Sequence, residues 1–149
     1  MPFILAPNSR KRYNTNMSEF KVNLTAVNPK EEDRRTPPVE ALVDTGAHSS
    51  WLPKRLLLDA GITPRGKVQF QMADKHIIER EVGYAILTAE GYSTIDEVVF
   101  AEDGDMTLLG VRTIEGFKVM VDNIGHRFVA FTAVSCPANT AVSAMNGKK

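Results

Sequence analysis

Apolar side chains recur at every second position along much of this chain, cut at short intervals by residues that turn the backbone, and that pattern restricts the fold more than any other feature. Phe20, Val22, Leu24 and Ala26 alternate with Lys21, Asn23, Thr25 and Val27, a period of two that puts each set on its own face of a β-strand. Asn28-Pro29 ends the run, and Lys30 to Pro38 reads as a charged, proline-closed hairpin loop. Val39 to Val43 is then a return strand that delivers Asp44 at its end. Val68 to Met72 alternates again, reaches the polar tip Ala73-Asp74-Lys75-His76, and is followed by His76 to Glu81 as the second arm of a hairpin. Tyr84 to Thr88, Ile95 to Phe100, Met106 to Leu109, Val119 to Val121 and Phe128 to Val134 are further strands, with turns at Glu90-Gly91 and Asp103-Gly104. Helical pattern is confined to Pro53 to Ala60, stopped by Gly61, and to a short run from Val111 to Glu115 before Gly116. The expected fold class is therefore all-β, with one or two short helices, in one domain.

Composition narrows the function classes. Eighteen basic and eighteen acidic side chains cancel among 149 residues, so no net field recruits nucleic acid or an anionic membrane surface. No apolar run is long enough to span a bilayer as a helix. The single Cys136 excludes an internal disulfide and any cysteine-rich metal site, and His48, His76 and His126 are too scattered for a metal-ligand spacing. Neither a metal nor another cofactor is expected. Residues 1–17 mix Pro, Asn, Ser and basic side chains without periodicity and read as a flexible arm, with Met17 an alternative start. The domain is expected over 18–135 and a disordered, small-residue tail over 136–149. The basic cluster Arg10-Lys11-Arg12 follows the short apolar start instead of preceding it, the reverse of a secretory signal, so a cytoplasmic location is expected. That cluster reads as part of a solvated arm and not as a nucleic-acid patch.

The chemistry sits in Ala41-Leu42-Val43-Asp44-Thr45-Gly46-Ala47-His48-Ser49-Ser50-Trp51-Leu52-Pro53. A buried strand ends and the next residue is a carboxylate, which is costly to place there without a partner. Gly46 permits close backbone approach to that carboxylate, Ala47 leaves room beside it, and Thr45 offers a hydroxyl to neighbouring backbone. By itself Asp-Thr-Gly also suits a plain turn after a strand. A second element adds weight: Leu108-Leu109-Gly110, followed by a helix-like run. Together these segments resemble the retropepsin-like aspartic proteases, whose active-site loop is two apolar residues followed by Asp-Thr/Ser-Gly-Ala/Thr/Ser. In that family a strand ending in two apolar residues and Gly crosses behind the loop, and a flap hairpin lies between the two elements. The likeness runs from Phe20 to Val134 and implies an acid-protease barrel with one lobe per chain.

By that resemblance Asp44 is the catalytic residue, Thr45, Gly46 and Ala47 support it, and Gly110 is the glycine of the second element. Met72, Ala73, Asp74 and Lys75 form the flap that meets substrate. One Asp-Thr-Gly per chain, where pepsin-like enzymes carry two, implies a homodimer, because two-fold symmetry sets a residue near the axis against its own copy. Two full charges about 3 Å apart at an effective dielectric of about 20 repel by about 5 kcal/mol, so the pair holds one proton, as aspartic-protease carboxylates generally do. The implied activity is that of an endopeptidase acting on a peptide or protein substrate. The reading from another class is a catalytically weak dimerisation or peptide-binding module on the same fold.

Two departures from the viral members stand out. Viral enzymes carry an acidic residue two places after the motif's Gly and an Arg directly after the second element's Gly, and those two side chains pair. Here the positions hold His48 and Val111, with Arg112 one place later. The flap tip is not glycine-rich either, and the combination is closer to the cellular and microbial branch. Elsewhere, Glu102-Asp103-Gly104-Asp105 lacks the closing Glu of a calcium loop and reads as a solvated turn. His76 and His126 read as solvated turn residues, and Trp51 and Leu52 as core beneath the active-site loop.

Overall fold

The structure, a computed structural model, describes residues 19–132. The expected arm at 1–17 and tail at 136–149, Cys136 included, lie outside the described residues. Most strands fall near the predicted stretches, but Ser50–Pro53 is a strand that no alternation marks, because its residues are covered on both faces. β1 (Lys21–Val27) turns through the 28–38 loop into β2 (Val39–Val43), and β3 (Ser50–Pro53) runs straight into α1 (Lys54–Asp59). β4 (Gly66–Gln71) and β5 (Ile77–Ala89) form a long hairpin, and β5 returns through Glu90-Gly91 into β6 (Tyr92–Ala101). β7 (Leu108–Leu109), α2 (Val111–Phe117), β8 (Val119–Asp122) and β9 (Arg127–Ala130) complete the order.

The sheet closes on itself. Its order is β1-β2-β7-β3-β6-β5-β4, and the second half of β1 also pairs with β5, through Thr25 with Thr88, Ala26 with Leu87 and Val27 with Ile86. β1 through β7 without β4 thus form a barrel, and among the described residues β4 is an edge strand that pairs with β5 alone. β7 threads between β2, to which it is parallel, and β3, to which it is antiparallel. This crossing carries the strand end at Leu109 behind the strand end at Val43.

Leu24, Leu52, Leu57, Leu87, Val98, Phe100 and Leu109, all fully buried, fill the barrel. A second cluster of Ala47, Trp51, Val82, Val99, Ala101 and Leu108 packs on the other face, covered by Val68, Phe70 and Ile78 of the β4–β5 hairpin. Because both faces are covered there, Trp51-Leu52, Val98-Val99-Phe100 and Leu108-Leu109 read as unbroken apolar runs and not as alternation. Trp51 and Leu52 are core, as expected, with Trp51 against the Phe70 ring at 5.0 Å.

Several boundaries differ from the sequence expectation. The two strands expected at 76–81 and 84–88 are one 13-residue strand, since Gly83 lets it pass the Thr63 carbonyl without a break. Only Leu108 and Leu109 of the run from Met106 are strand, because Glu102, Asp103, Gly104 and Asp105 form a turn that leaves Met106 exposed. Gly116 does not stop α2; Lys118 does, in a left-handed conformation with φ of 63°. β9 ends at Ala130 rather than Val134, and residues 133 and 134 lie outside the described residues. His126 is a turn residue with φ of 54°, but it is not solvated: its ring stacks flat on Phe20 at 5.5 Å.

Candidate active site

β2 ends at Val43, and the Asp44 N–H donates to the Leu109 carbonyl at 3.0 Å, so the loop leaves the strand anchored to β7. One carboxylate oxygen, Oδ1, accepts the Gly46 N–H at 2.9 Å. The Ala47 N–H donates to the Asp44 carbonyl at 3.1 Å and closes a tight turn. Asp44 is half-buried, Thr45 and Gly46 are exposed, and Ala47 is buried beneath them. A Cβ at Gly46 would sit 3.3 Å from Asp44 Oδ1, tight against the carboxylate that the Gly46 amide orients. The carboxylate is therefore oriented by backbone, in a residue that is half-buried beside exposed Thr45 and Gly46.

The second element holds this loop from behind. The Val111 N–H donates to the Ala47 carbonyl at 2.8 Å and the Arg112 N–H to the His48 carbonyl at 3.2 Å. First-turn amides of a helix have no partner inside it, and α2 spends two of its own on the Asp44 loop. Gly110 lies so close that a Cβ would run into the Ser49 carbonyl. Gly110 is thus a glycine for reasons of space, with an ordinary φ of −92°. Its N–H donates to Ser50 Oγ at 2.9 Å.

The hairpin that the sequence places between the two elements has its tip at Met72 to His76. The Lys75 N–H donates to the Met72 carbonyl at 2.8 Å and the Met72 N–H to the His76 carbonyl at 2.9 Å. Lys75 adopts a left-handed φ of 76°, at the place where such a turn favours glycine. Ala73, Asp74 and Lys75 are exposed and Met72 is half-buried. Asp74 Oδ1 accepts from His76 through both its backbone N–H and its ring Nδ1. That ring contact, ahead of the backbone one, holds the Asp74 carboxyl below its ordinary pKa.

The sequence-selected residues thus fall into two groups. Asp44, Thr45, Gly46, Ala47 and Gly110 come together in one cradle; Met72 to Lys75 sit at the hairpin tip, and no described contact joins them to Asp44. His48 is exposed beside the loop. Arg112 turns to its own β6, with Nη2 3.3 Å from Asp96 Oδ1 and Nη1 3.8 Å from Glu97 Oε1. Ser50, Asp96 and Thr113 belong to no motif, yet they bind the cradle together. The one sequence signal for them is Asp96, a charge at an inward position between Thr94 and Val98. A concavity of about 520 Å³ lies away from Asp44, lined by α1 and the 102–105 turn. None of the site residues selected from the sequence lines that concavity. Among the described residues no cluster of His, Cys, Asp and Glu is placed to hold a metal ion, and no helix is long and apolar enough to cross a membrane.

A barrel with a strand threaded behind an Asp-Thr-Gly loop, and a hairpin outside it, is the arrangement of one lobe of a retropepsin-like aspartic protease. A family model described as aspartyl protease matches residues 32–113, more than half of the chain. The chain belongs to the aspartyl protease family. No curated protein matches it.

Proposed function

We propose that the chain is an aspartic endopeptidase active as a homodimer, with Asp44 of each copy supplying one carboxylate of a single catalytic pair. The observation that supports this most is the Asp44 carboxylate itself, at an outward-facing loop beside exposed Thr45 and Gly46, one such group per chain. A two-fold axis at that loop brings two carboxylates within repulsive range, and the pair keeps one proton. The ionised member takes a proton from a water, whose oxygen attacks the peptide carbonyl carbon. The protonated member hydrogen-bonds the carbonyl oxygen, a proton passes to the leaving nitrogen, and the C–N bond breaks. In this reading the backbone of the loop orients the carboxylates, the tip from Met72 to Lys75 covers the peptide, and the chemistry draws on no cofactor.

Asp44→Asn tests it. The amide is nearly isosteric and removes the repulsion, so the variant is expected to remain folded and to lose peptide cleavage, while wild-type cleavage is blocked by a pepstatin-type inhibitor. Substantial cleavage by the Asn variant would remove Asp44 from the role. Peptide binding without cleavage by the wild-type dimer would favour a binding module instead.

A further inference from the structure

The polar contacts behind the Asp44 loop form one chain with one direction. The Gly110 N–H donates to Ser50 Oγ at 2.9 Å, Ser50 Oγ lies 2.6 Å from Thr113 Oγ1, and Thr113 Oγ1 donates to Asp96 Oδ2 at 2.8 Å. The direction follows from the far end. A carboxylate oxygen only accepts, so Thr113 gives its proton to Asp96 and must accept from Ser50. Ser50 has then given its own proton away, and its lone pairs are free for the Gly110 amide. Ser50 and Thr113 are fully buried and Asp96 nearly so. The other oxygen of Asp96 accepts the Glu97 N–H at 2.7 Å and faces Arg112 at 3.3 Å.

A carboxylate is an expensive way to fill an inward position of a strand. An apolar residue would pack there, but it would leave Thr113 free to turn its proton toward Ser50, and nothing in the chain would then fix which way the Ser50 hydroxyl points. The residues on either side of Gly110 carry the bonds that shape the Asp44 loop: the Leu109 carbonyl accepts from the Asp44 N–H, and the Val111 and Arg112 amides donate to the Ala47 and His48 carbonyls. Fixing Gly110 therefore fixes the template on which Asp44 is laid. We infer that Asp96, Thr113 and Ser50 are positioning residues for the Asp44 carboxylate, acting through Gly110 and not through substrate. Arg112 serves as counter-charge to Asp96 within its own subunit.

The inference rests on the peptidase reading, and the two fail differently. Thr113→Val keeps the side-chain volume and removes the hydroxyl; Thr113→Ser keeps the hydroxyl; Ser50→Ala removes the acceptor for Gly110. A slightly displaced carboxylate costs rate more than binding, so Thr113→Val and Ser50→Ala are expected to lower kcat about tenfold with KM changed less than about twofold. Thr113→Ser should recover kcat to within about threefold of wild type. Loss of packing alone would not produce that split or that rescue. Wild-type kcat in a folded Thr113→Val or Ser50→Ala dimer overturns the inference, as does a Thr113→Ser enzyme as impaired as the valine variant. If the wild-type dimer cleaves no peptide, the peptidase reading fails instead, and amide exchange measured by NMR decides the positioning chain. The Gly110 amide should then exchange about tenfold faster in Ser50→Ala than in wild type, with Leu87 in the barrel unchanged. An unchanged Gly110 rate overturns it. Should Thr113→Val not fold, Ser50→Ala carries both readouts.

Discussion

Asp74 and Asp122 each tie a hairpin turn through the carboxylate, and each is held below the ordinary carboxyl range for it. For Asp74 the cause is the His76 ring, then the His76 amide. For Asp122 it is the Gly125 amide, then the Arg127 guanidinium at 3.0 Å. A carboxyl whose pKa is lower in the folded state contributes stability that is present above its unfolded pKa of about 3.9. The contribution is lost as pH falls through the folded value. Carbon-detected NMR titration should place both midpoints below about 3.9, with the turn amides exchanging faster only beneath those midpoints. A midpoint at or above the ordinary value for either residue would contradict the turn geometry. Lys118 presents a different residue-scale cost, a left-handed backbone with a Cβ at the C-terminal end of α2. Lys118→Gly is expected to stabilise the fold by about 0.5 kcal/mol, the left-handed strain relieved less the added chain entropy. A higher thermal midpoint is the check.

Among the elements, the β4–β5 hairpin is the one whose motion would bear on the proposed activity. Its stem is fastened. Arg80 of β5 meets Asp105 with two bonds, Nε to Oδ2 at 2.6 Å and Nη2 to Oδ1 at 2.9 Å. Asp105 also accepts the Glu102 amide at 2.8 Å, so the turn that resembles a calcium loop is a socket for an arginine. Lys54 lies 2.9 Å from Glu81, and Phe70 leans on Trp51. Beyond the stem the tip is exposed, with no described contact outside the hairpin. Mobility is therefore expected between residues 71 and 77 and not at Arg80, and a peptide-like inhibitor should slow hydrogen exchange in that tip. Equal exchange with and without inhibitor would count against a closing flap. Arg80→Met should cost about 2 kcal/mol by leaving Asp105 without its partner, and should spread fast exchange down the stem.

At the scale of the whole molecule, the proposed homodimer needs a surface that joins two copies. The positions of the viral ion pair hold His48 and Val111, and Arg112 meets Asp96 within the same chain. β8 and β9 pair only with each other among the described residues. Phe128 is committed to its own subunit, packed against Phe20, Tyr92 and Phe117, whereas Phe131 is 46% exposed at the end of β9. Removal of everything after Gly125 would therefore strip a core aromatic as well as any interface. Phe131→Asp is the cleaner probe. If the proposed dimer uses this strand, the variant stays folded, its activity falls on dilution at higher concentrations than the wild type's, and sedimentation reports monomer. An unchanged monomer–dimer equilibrium would direct attention to Thr45 and the N-terminal segment.

Local pattern determined much of this protein. Alternation marked β1, β4 and much of β5, because a strand half in core and half in water must write its two faces into alternate residues, whereas β3 and β7, covered on both faces, carry no such mark. The Asp44 loop was legible because its requirements are steric and local: a carboxylate at a strand end, Gly46 against it, Ala47 beneath. What only the tertiary structure decided is who stands behind that loop. Ser50, Asp96 and Thr113 are far apart in the chain and belong to three elements, and nothing local distinguishes a serine that accepts the Gly110 amide from one that faces water. The same holds for Arg80 with Asp105, for Arg112 with Asp96, and for His126 laid on Phe20. Each is set by which strands become neighbours when the sheet closes, and closure is a property of the whole barrel, recorded in no short stretch of the sequence.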